Sequence, residues 1–393
     1  MDKNTTVRRA GTDARQPQPK APSAKKKILY IVEAMGGGVF TYIVDLSNEL
    51  VDSFDIYIAY AIRPQTPANY REYFDPRIHL IEVKNFGRAI DPKKDFKAFA
   101  EVRAIAKKVN PDVIHLHSSK AGAIGRAALN GRKTPMFYTP HGYSFLMENY
   151  KPLNRRIFRL IEGFCARFPC TTISCSEGEH QETLKLTRRA LYVNNGVNIR
   201  ELSRTIETAG SRIGTPAAES HPFTVFTLGR INYQKNPERF NRIAEALPDI
   251  RFLWIGDGEL RDCLTSKNIE ITGWVDRSRA LEYSLSADAF LLTSSWEGLP
   301  ISLLEAMFMK KPCVVSNVIG NRDVIHDGEN GFICDTTGDY VKSIMAIQDE
   351  YEGNGEGKVH RVVEKAYEEI LSMYNTETMA RKYKKIYEKV LSG

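Results

Sequence analysis

Two glutamates eight residues apart, Glu297 and Glu305, bracket the turn Gly298-Leu299-Pro300. The apolar run 289–292 upstream reads as the end of a strand buried on both faces. Gly298 and Pro300 then turn the chain into a helix, with Pro300 at its first position, where a missing N–H costs nothing. The free N–H groups of a helix start, at the positive end of the macrodipole, favour a phosphate or another anion. A carboxylate beside an anion site is unfavourable unless it binds something else. Sugar or ribose hydroxyls fit, because they donate hydrogen bonds to ionised oxygens. Two carboxylates flanking a phosphate pocket describe a sugar-nucleotide site, although an ordinary strand-turn-helix with solvated glutamates shares the local pattern. A second pair, Arg230 and Lys235, lies five apart in one loop after the strand 223–228. A guanidinium fork and an ammonium can converge there on two phosphates, or both can simply be solvated.

The elements that must position these residues alternate between strand and helix. The run 27–32 is a buried strand, Gly36-Gly37-Gly38 a loop, and Val39, Tyr42, Ile43, Leu46 and Leu50 have helical spacing over 39–50. This is a Rossmann-type first unit, in which glycine lets a ligand approach a helix start. The run is not G-x-G-x-x-G, and no acidic residue ends the next strand, 56–62, so a nicotinamide dinucleotide is disfavoured. Strands are expected at 78–83, 111–117, 136–139 and 172–176, with helices at 96–109 and 121–129. Ligands bind at the carboxyl edge of such sheets. His117, Ser119, Lys120 and His141 are placed there, whereas His115 is expected to turn to the other face and be core. A low-hydrophobicity stretch, 198–222, reads as a linker. A second series follows at 223–228, 250–255, 269–275, 289–292 and 312–316, and helices end the chain.

Composition bounds the answer. The 393 residues suffice for two domains, and 42% hydrophobic with 10% aromatic is ordinary for a globular protein. No apolar run reaches the length of a membrane span, and residues 1–27 have no apolar segment suited to a cleavable leader, so a cytoplasmic location is expected. The net charge of +7 is concentrated in residues 1–27, which hold eight Lys or Arg against Asp2 and Asp13 and leave the body near neutral. Residues 1–26 are expected to be a disordered basic tail, for which contact with anionic lipid and a solubilising role both fit. Nucleic acid is disfavoured, for lack of aromatic or motif context. The six cysteines show no C-x-x-C spacing and read as free thiols. Residues 150–168 carry an apolar stripe among basic side chains. A helix packed on the sheet with a solvated basic face is expected, and a helix lying on an anionic membrane is the alternative.

Glu297-Gly298-x-Pro300 with Glu305 resembles the E-x7-E signature of the retaining glycosyltransferases of the GT-B fold, family 4. His115-x-His117-Ser-Ser-Lys-Ala-Gly with Thr139-Pro-His-Gly resembles the acceptor domain of bacterial family 4 enzymes that build surface polysaccharides. Gly229-Arg230 with Lys235-Asn236-Pro237 is similar to the family's diphosphate loop, and residues 193–197 to its hinge-proximal turn. The likeness covers roughly residues 27–391, most weakly at 50–105 and in the linker.

The resemblance implies an α/β protein of two Rossmann-like domains facing across a cleft. Residues 27–197 would bind acceptor and 223–375 donor, and a final helix within 376–393 would cross back to the first domain. It assigns donor binding to Gly229, Arg230, Lys235, Val275, Glu297, Gly298, Leu299, Pro300 and Glu305. Within that set Val275 lies in the segment receiving the base, Glu305 is on the ribose and Glu297 on the transferred sugar. Gly37, Gly38, Ser119, Lys120 and His141 fall on the acceptor side. His141, Glu297, Arg230 and Lys235 are the residues assigned to catalysis, with no catalytic base named. The implied reaction is retaining transfer from a nucleoside-diphosphate sugar to a glycan or polyprenyl-diphosphate-linked acceptor in capsule, exopolysaccharide or O-antigen synthesis. The alternatives are an epimerase or hydrolase of sugar nucleotides, or a non-catalytic sugar-nucleotide binder. No Asp-x-Asp triplet occurs, so neither metal nor cofactor is expected. Peripheral contact with the inner face of an anionic plasma membrane is left open.

Overall fold

The computed structural model describes residues 25–33, 35–64, 66–87, 91–213, 222–353 and 357–392. All but the last two residues of the expected basic tail lie outside these. The first half runs β1 (Lys27–Val32), α1 (Gly37–Leu50), β2 (Asp55–Tyr60), β3 (His79–Glu82), α2 (Pro92–Val109), β4 (Val113–His117), α3 (Ser119–Ala128), β5 (Met136–Thr139), α4 (Pro152–Cys165), β6 (Thr171–Ser174), α5 (Glu177–Leu184) and β7 (Ala190–Tyr192). After α6 (Ile199–Ile213) the second half runs β8 (Thr224–Leu228), α7 (Pro237–Ala246), β9 (Arg251–Ile255), β10 (Ile269–Ile271), α8 (Arg277–Leu285), β11 (Ala289–Leu292), α9 (Ile301–Phe308), β12 (Cys313–Ser316), β13 (Phe332–Cys334), α10 (Thr337–Tyr351), α11 (Lys358–Ser372) and α12 (Thr376–Leu391). The strands pair in parallel as β3-β2-β1-β4-β5-β6-β7 and β10-β9-β8-β11-β12-β13. In each sheet the order reverses beside the first strand, which opens a crevice at the carboxyl edge. Parallel sheets need helical crossovers that cover both faces, which is why β1, β4, β5, β11 and β12 are continuous apolar runs. The six cysteines are free thiols, and all but Cys263 are buried.

Local chemistry explains where elements depart from the sequence expectation. Helix α2 begins four residues early, because the Asp91 side chain accepts from the N–H groups of Lys93 and Lys94 and Pro92 suits a first turn. Ser119 and Lys120 open α3 instead of preceding it. Pro300 is the cap residue of α9, in extended conformation, and Ile301 is its first helical residue. The expected linker 198–222 carries α6. Its mean hydropathy is low, yet Asn198 caps it through the Glu201 N–H, Leu202 is fully buried, and Ile199 and Ile206 pack on the second core.

Among the described residues several contacts join the halves, and three of them set the hinge region. The chain crosses between them twice, at Val197 and at Asn375, and the crossings are bonded to each other: the Val197 N–H donates to the Tyr374 carbonyl (2.9 Å) and the Thr376 N–H to the Val197 carbonyl (3.1 Å). Gly196 is required here, since a Cβ would stand 2.4 Å from the Asn375 backbone. Helix α12 then returns to the first half, where Met379, Tyr383 and Tyr387 complete the core of Tyr30, Tyr42 and Ile43. The hydroxyls of Tyr42 and Tyr383 bond at 2.6 Å, and the Tyr387 hydroxyl meets His115 Nδ1 at 2.6 Å. The third is an ion-paired group of the second half against which α1 sits. Arg277 of α8 donates to Glu305 (2.7 Å) and to Glu201 of α6 (2.9 Å), and Asp45 of α1 is buried beside this group with Oδ2 lacking a hydrogen-bond partner. Burial pushes the Asp45 carboxyl up to about 7, Arg277 opposes this, and the Glu201 and Glu305 carboxylates reinforce it.

Tyr387→Ala should remove a fully buried aromatic and leave His115 short of a partner, at a cost of about 3 to 5 kcal/mol, seen as a lower Tm in calorimetry. An unchanged Tm would mean that α12 is not part of the first core. Asp45 stays protonated in the folded chain well above the unfolded carboxyl pKa of about 4, so its contribution to stability is lost as pH rises through about 7. Asp45→Asn lacks that loss. Denaturation across pH 5 to 8 should show the variant gaining on the wild type with rising pH, and a constant difference would refute the assignment.

Candidate functional site

The sequence-singled residues gather where the carboxyl ends of the two sheets meet. After β8, Gly229 takes φ +147 and its carbonyl accepts from Trp254 Nε1. The following loop is set by Asn232, whose side chain accepts from the Lys235 N–H, and by left-handed Asn236, which caps α7. Lys235 folds back over Gly229, where a Cβ would lie 3.2 Å from its Cε. Its ammonium reaches Glu297 Oε1 at 2.7 Å. The same oxygen accepts from Ser294 Oγ (2.7 Å), and Oε2 accepts from Gln234 Nε2 (3.1 Å). Glu297 is 8% exposed. Arg230 does not join Lys235; it pairs with Glu259 (2.9 Å) and stays partly exposed. The two cations of the loop therefore serve different carboxylates.

Gly298 follows at the seam. A Cβ on it would stand 3.1 Å from the Gly142 nitrogen and 3.0 Å from Cys175 Sγ, a tight approach that a side chain could enter only if these neighbours gave way. Leu299 is buried, and its carbonyl accepts from Asn195 Nδ2 of the first half (2.8 Å). No side chain caps α9 and no acidic residue stands in its first turn. Glu305, one turn in, is 2% exposed and held by Arg277. The side chain of Val275 packs on the core beside α8.

On the facing side, Gly37 (φ +56) and Gly38 start α1, which has no side-chain cap, and no atom lies within 4 Å of where their Cβ atoms would be. His141 has φ +56, and its loop is fixed by Glu179, which accepts from the N–H groups of Gly142 (2.6 Å) and Cys175 (2.8 Å). Burial raises the Glu179 carboxyl above its usual range, while these two bonds favour the charged form. His141 Nε2 lies 3.1 Å from His117 Nδ1, and Tyr42 meets the His141 ring edge-on. Burial pushes the His141 imidazole down to about 3, so near neutral pH it is a neutral hydrogen-bonding group. His115 is core, as expected, but on the same side as His117: residues two apart on a strand must share a face, and the rings lie 4.0 Å apart. The His117 Nε2 atom is buried without a partner. Ser119 accepts from Ser144 Oγ, and Lys120 is drawn to Asp95 of α2 at 2.7 Å.

Asp45, Glu179 and Arg277 escaped the sequence reading, and Asn195, Gln234 and Ser294 lay in segments it singled out without a role of their own. Ser176-x-x-Glu179 carries a visible helix-start pattern. Nothing local announces that Arg277 reaches Glu305, 28 residues on. A depression of about 280 Å³ lined by Lys25, Lys27, Val51, Phe54, Asp55 and Arg77 lies at the amino edge of the first sheet, away from all these residues.

Family comparisons cover both halves. The family described as Glycosyltransferase Family 4 matches residues 36–201, and that described as Glycosyl transferases group 1 matches 215–369. The UDP-Gal:alpha-D-GlcNAc-diphosphoundecaprenol alpha-1,3-galactosyltransferase of Escherichia coli is 28% identical over 306 residues, covering 71% of this chain and 77% of its own. Among solved structures, sucrose-phosphate synthase from Thermosynechococcus elongatus superposes with a TM-score of 0.78 at 16% identity, covering 94% of this chain and all of its own. An Anabaena protein in complex with UDP and glucose gives 0.73 at 15%, covering 92% and 99%. These likenesses show the GT-B fold. With both halves matched in order and the E-x7-E pair standing at the seam, this chain belongs to the family 4 glycosyltransferases of the GT-B fold.

Proposed function

We propose that this glycosyltransferase moves a hexose from a uridine-diphosphate sugar, with retention of configuration, to a polyprenyl-diphosphate-linked glycan in bacterial surface polysaccharide synthesis. The observation that carries the reading is the Lys235–Glu297 pair beside the uncapped start of α9. A cation, free backbone N–H groups and a positive helix end meet there, with a carboxylate already oriented. Negative charge developing on the leaving diphosphate would be met by Lys235, Arg230 and the N–H groups near Leu299, an arrangement built before the reaction begins. Glu297 would face the transferred sugar and Glu305 the ribose, sharing its carboxylate with Arg277. His141, neutral and backed by His117, would hydrogen-bond a hydroxyl at the reacting centre. A phosphate oxygen would take the acceptor proton, so no protein base is assigned. The donor and acceptor classes are supported by the Escherichia coli relative, whose name specifies UDP-Gal and a diphosphoundecaprenol-linked acceptor.

No metal is assigned a part in this reading. Among the described residues no three His, Cys, Asp or Glu side chains are grouped to hold an ion, and the diphosphate would depend on the cations named above.

Mass spectrometry of UDP-, GDP-, ADP- and CMP-sugars with a lipid-diphosphate-linked GlcNAc acceptor tests the proposal. One hexose should be added from a UDP donor only, and transfer should persist in excess chelator. Donor hydrolysis independent of acceptor, or loss in EDTA reversed by Mg²⁺, would overturn it. Steady-state kinetics separate the two carboxylates. Glu305→Gln should raise the donor KM by about 10- to 100-fold with kcat little changed, because the ribose lies far from bond breaking. Glu297→Gln should chiefly lower kcat, because the sugar ring gains positive charge as the diphosphate leaves. The reverse pattern would mean that the donor lies the other way round.

A further inference from the structure

Helix α4 is mounted with its apolar stripe outward. The face turned to the protein holds Phe158, Cys165 and Glu162, and Glu162 accepts from Arg126 Nη2 (2.7 Å) and from the Tyr138 hydroxyl (2.9 Å) in a buried network. Leu153, Ile157, Leu160, Ile161 and Phe164 are 67%, 44%, 72%, 40% and 59% exposed. Their spacing puts them on one stripe about 100° wide. Exposed Arg156 borders it, exposed Arg159 stands farther round the helix over the Phe145 ring, and exposed Arg167 follows the last turn. This overturns the expectation that the stripe packs on the sheet with only the basic face solvated. The helix is also fixed at both ends: Arg155 Nε donates to the Phe145 carbonyl (3.0 Å), and Arg189 Nη2 to the carbonyls of Ala166, Arg167 and Phe168. Rotation cannot bury the stripe without breaking the Glu162 network.

Charge decides what covers it. From residue 150 to 168 the sole acidic side chain is Glu162, and it is buried and paired. A second copy seated stripe to stripe would bring the arginines of both copies together without a counter-charge. An anionic bilayer supplies both requirements: an acyl boundary for the leucines, isoleucines and phenylalanine, and phosphates for the arginines.

We propose that α4 is a docking surface for an anionic phospholipid bilayer. The helix follows directly on the His141–Gly142 loop and the turn Ser144–Leu146. Docking through it sets the acceptor side of the cleft at the membrane. That consequence for a lipid-linked acceptor rests on the proposed function; the bilayer contact itself does not.

Flotation of the full-length protein with vesicles of mixed phosphatidylglycerol and phosphatidylcholine, or of phosphatidylcholine alone, reads the contact without donor or acceptor. Wild type should float with the anionic vesicles and much less with the zwitterionic ones. Leu160→Glu/Phe164→Glu should abolish flotation, and Arg156→Glu/Arg159→Glu should weaken it by about tenfold or more. The substituted side chains are exposed, so an unchanged Tm checks the fold. Three results would overturn the proposal: no flotation of wild type with anionic vesicles, unchanged flotation of both variants, which would assign binding to the basic residues 1–27, or a dimer that Leu160→Glu/Phe164→Glu dissociates while vesicle binding stays the same. Loss of transfer activity with flotation intact would fault the proposed function alone.

Discussion

The second half of the chain depends on the ion pair between Lys235 and Glu297. Both side chains are largely out of water, at 15% and 7% exposure, so desolvation works against them unless every oxygen is served. Ser294 and Gln234 complete that service, and Gln234 also exchanges bonds with the backbone of Ser295 and Trp296. Two loops from different strands are thereby locked together at the sheet edge. A replacement by apolar side chains would meet the same packing demand without leaving an oriented cation and carboxylate beside a helix start. In the reaction proposed above, this lock would hold charge in place before the diphosphate departs.

Close backbone approach extends the lock across the cleft. Gly298 abuts Gly142 and Cys175, and a Cβ at Gly320 would fall 2.6 Å from the Gly298 carbonyl oxygen. Asp323 adds bonds to the N–H groups of Gly178 and Gly320. In the first half Glu179 holds the His141 loop in its left-handed turn. The three histidines His115, His117 and His141 share one buried cluster, and burial lowers the proton affinity of each. The cluster leans on Tyr387 of the returning helix, so α12 supports the His141 loop from behind.

The Arg277 group links the same machinery to the hinge. Glu305 belongs to the signature, Glu201 to the helix after the first crossing, and Asp45 to the helix that starts at Gly37. Helix α4 stands on the first half and outside this network.

The sequence by itself determined the two parallel sheets, the glycine loop before α1 and the strand-turn-helix carrying Glu297 and Glu305. These follow from runs of apolar residues and from turn chemistry, which act over a few neighbours. It also contained signals that the reading passed over: Asp91-Pro92 at the start of α2, the two-residue period that puts His115 beside His117, and the Ile199, Leu202 and Ile206 spacing of α6. What only the tertiary structure decided is partnership. That Lys235 takes Glu297 while Arg230 takes Glu259, that Arg277 holds Glu305 near Asp45, and that α4 buries Glu162 and exposes Leu160 all depend on distant segments meeting. Periodicity shows that a helix has an apolar face; the partner waiting at its other face, here Arg126 for Glu162, settles which way it turns.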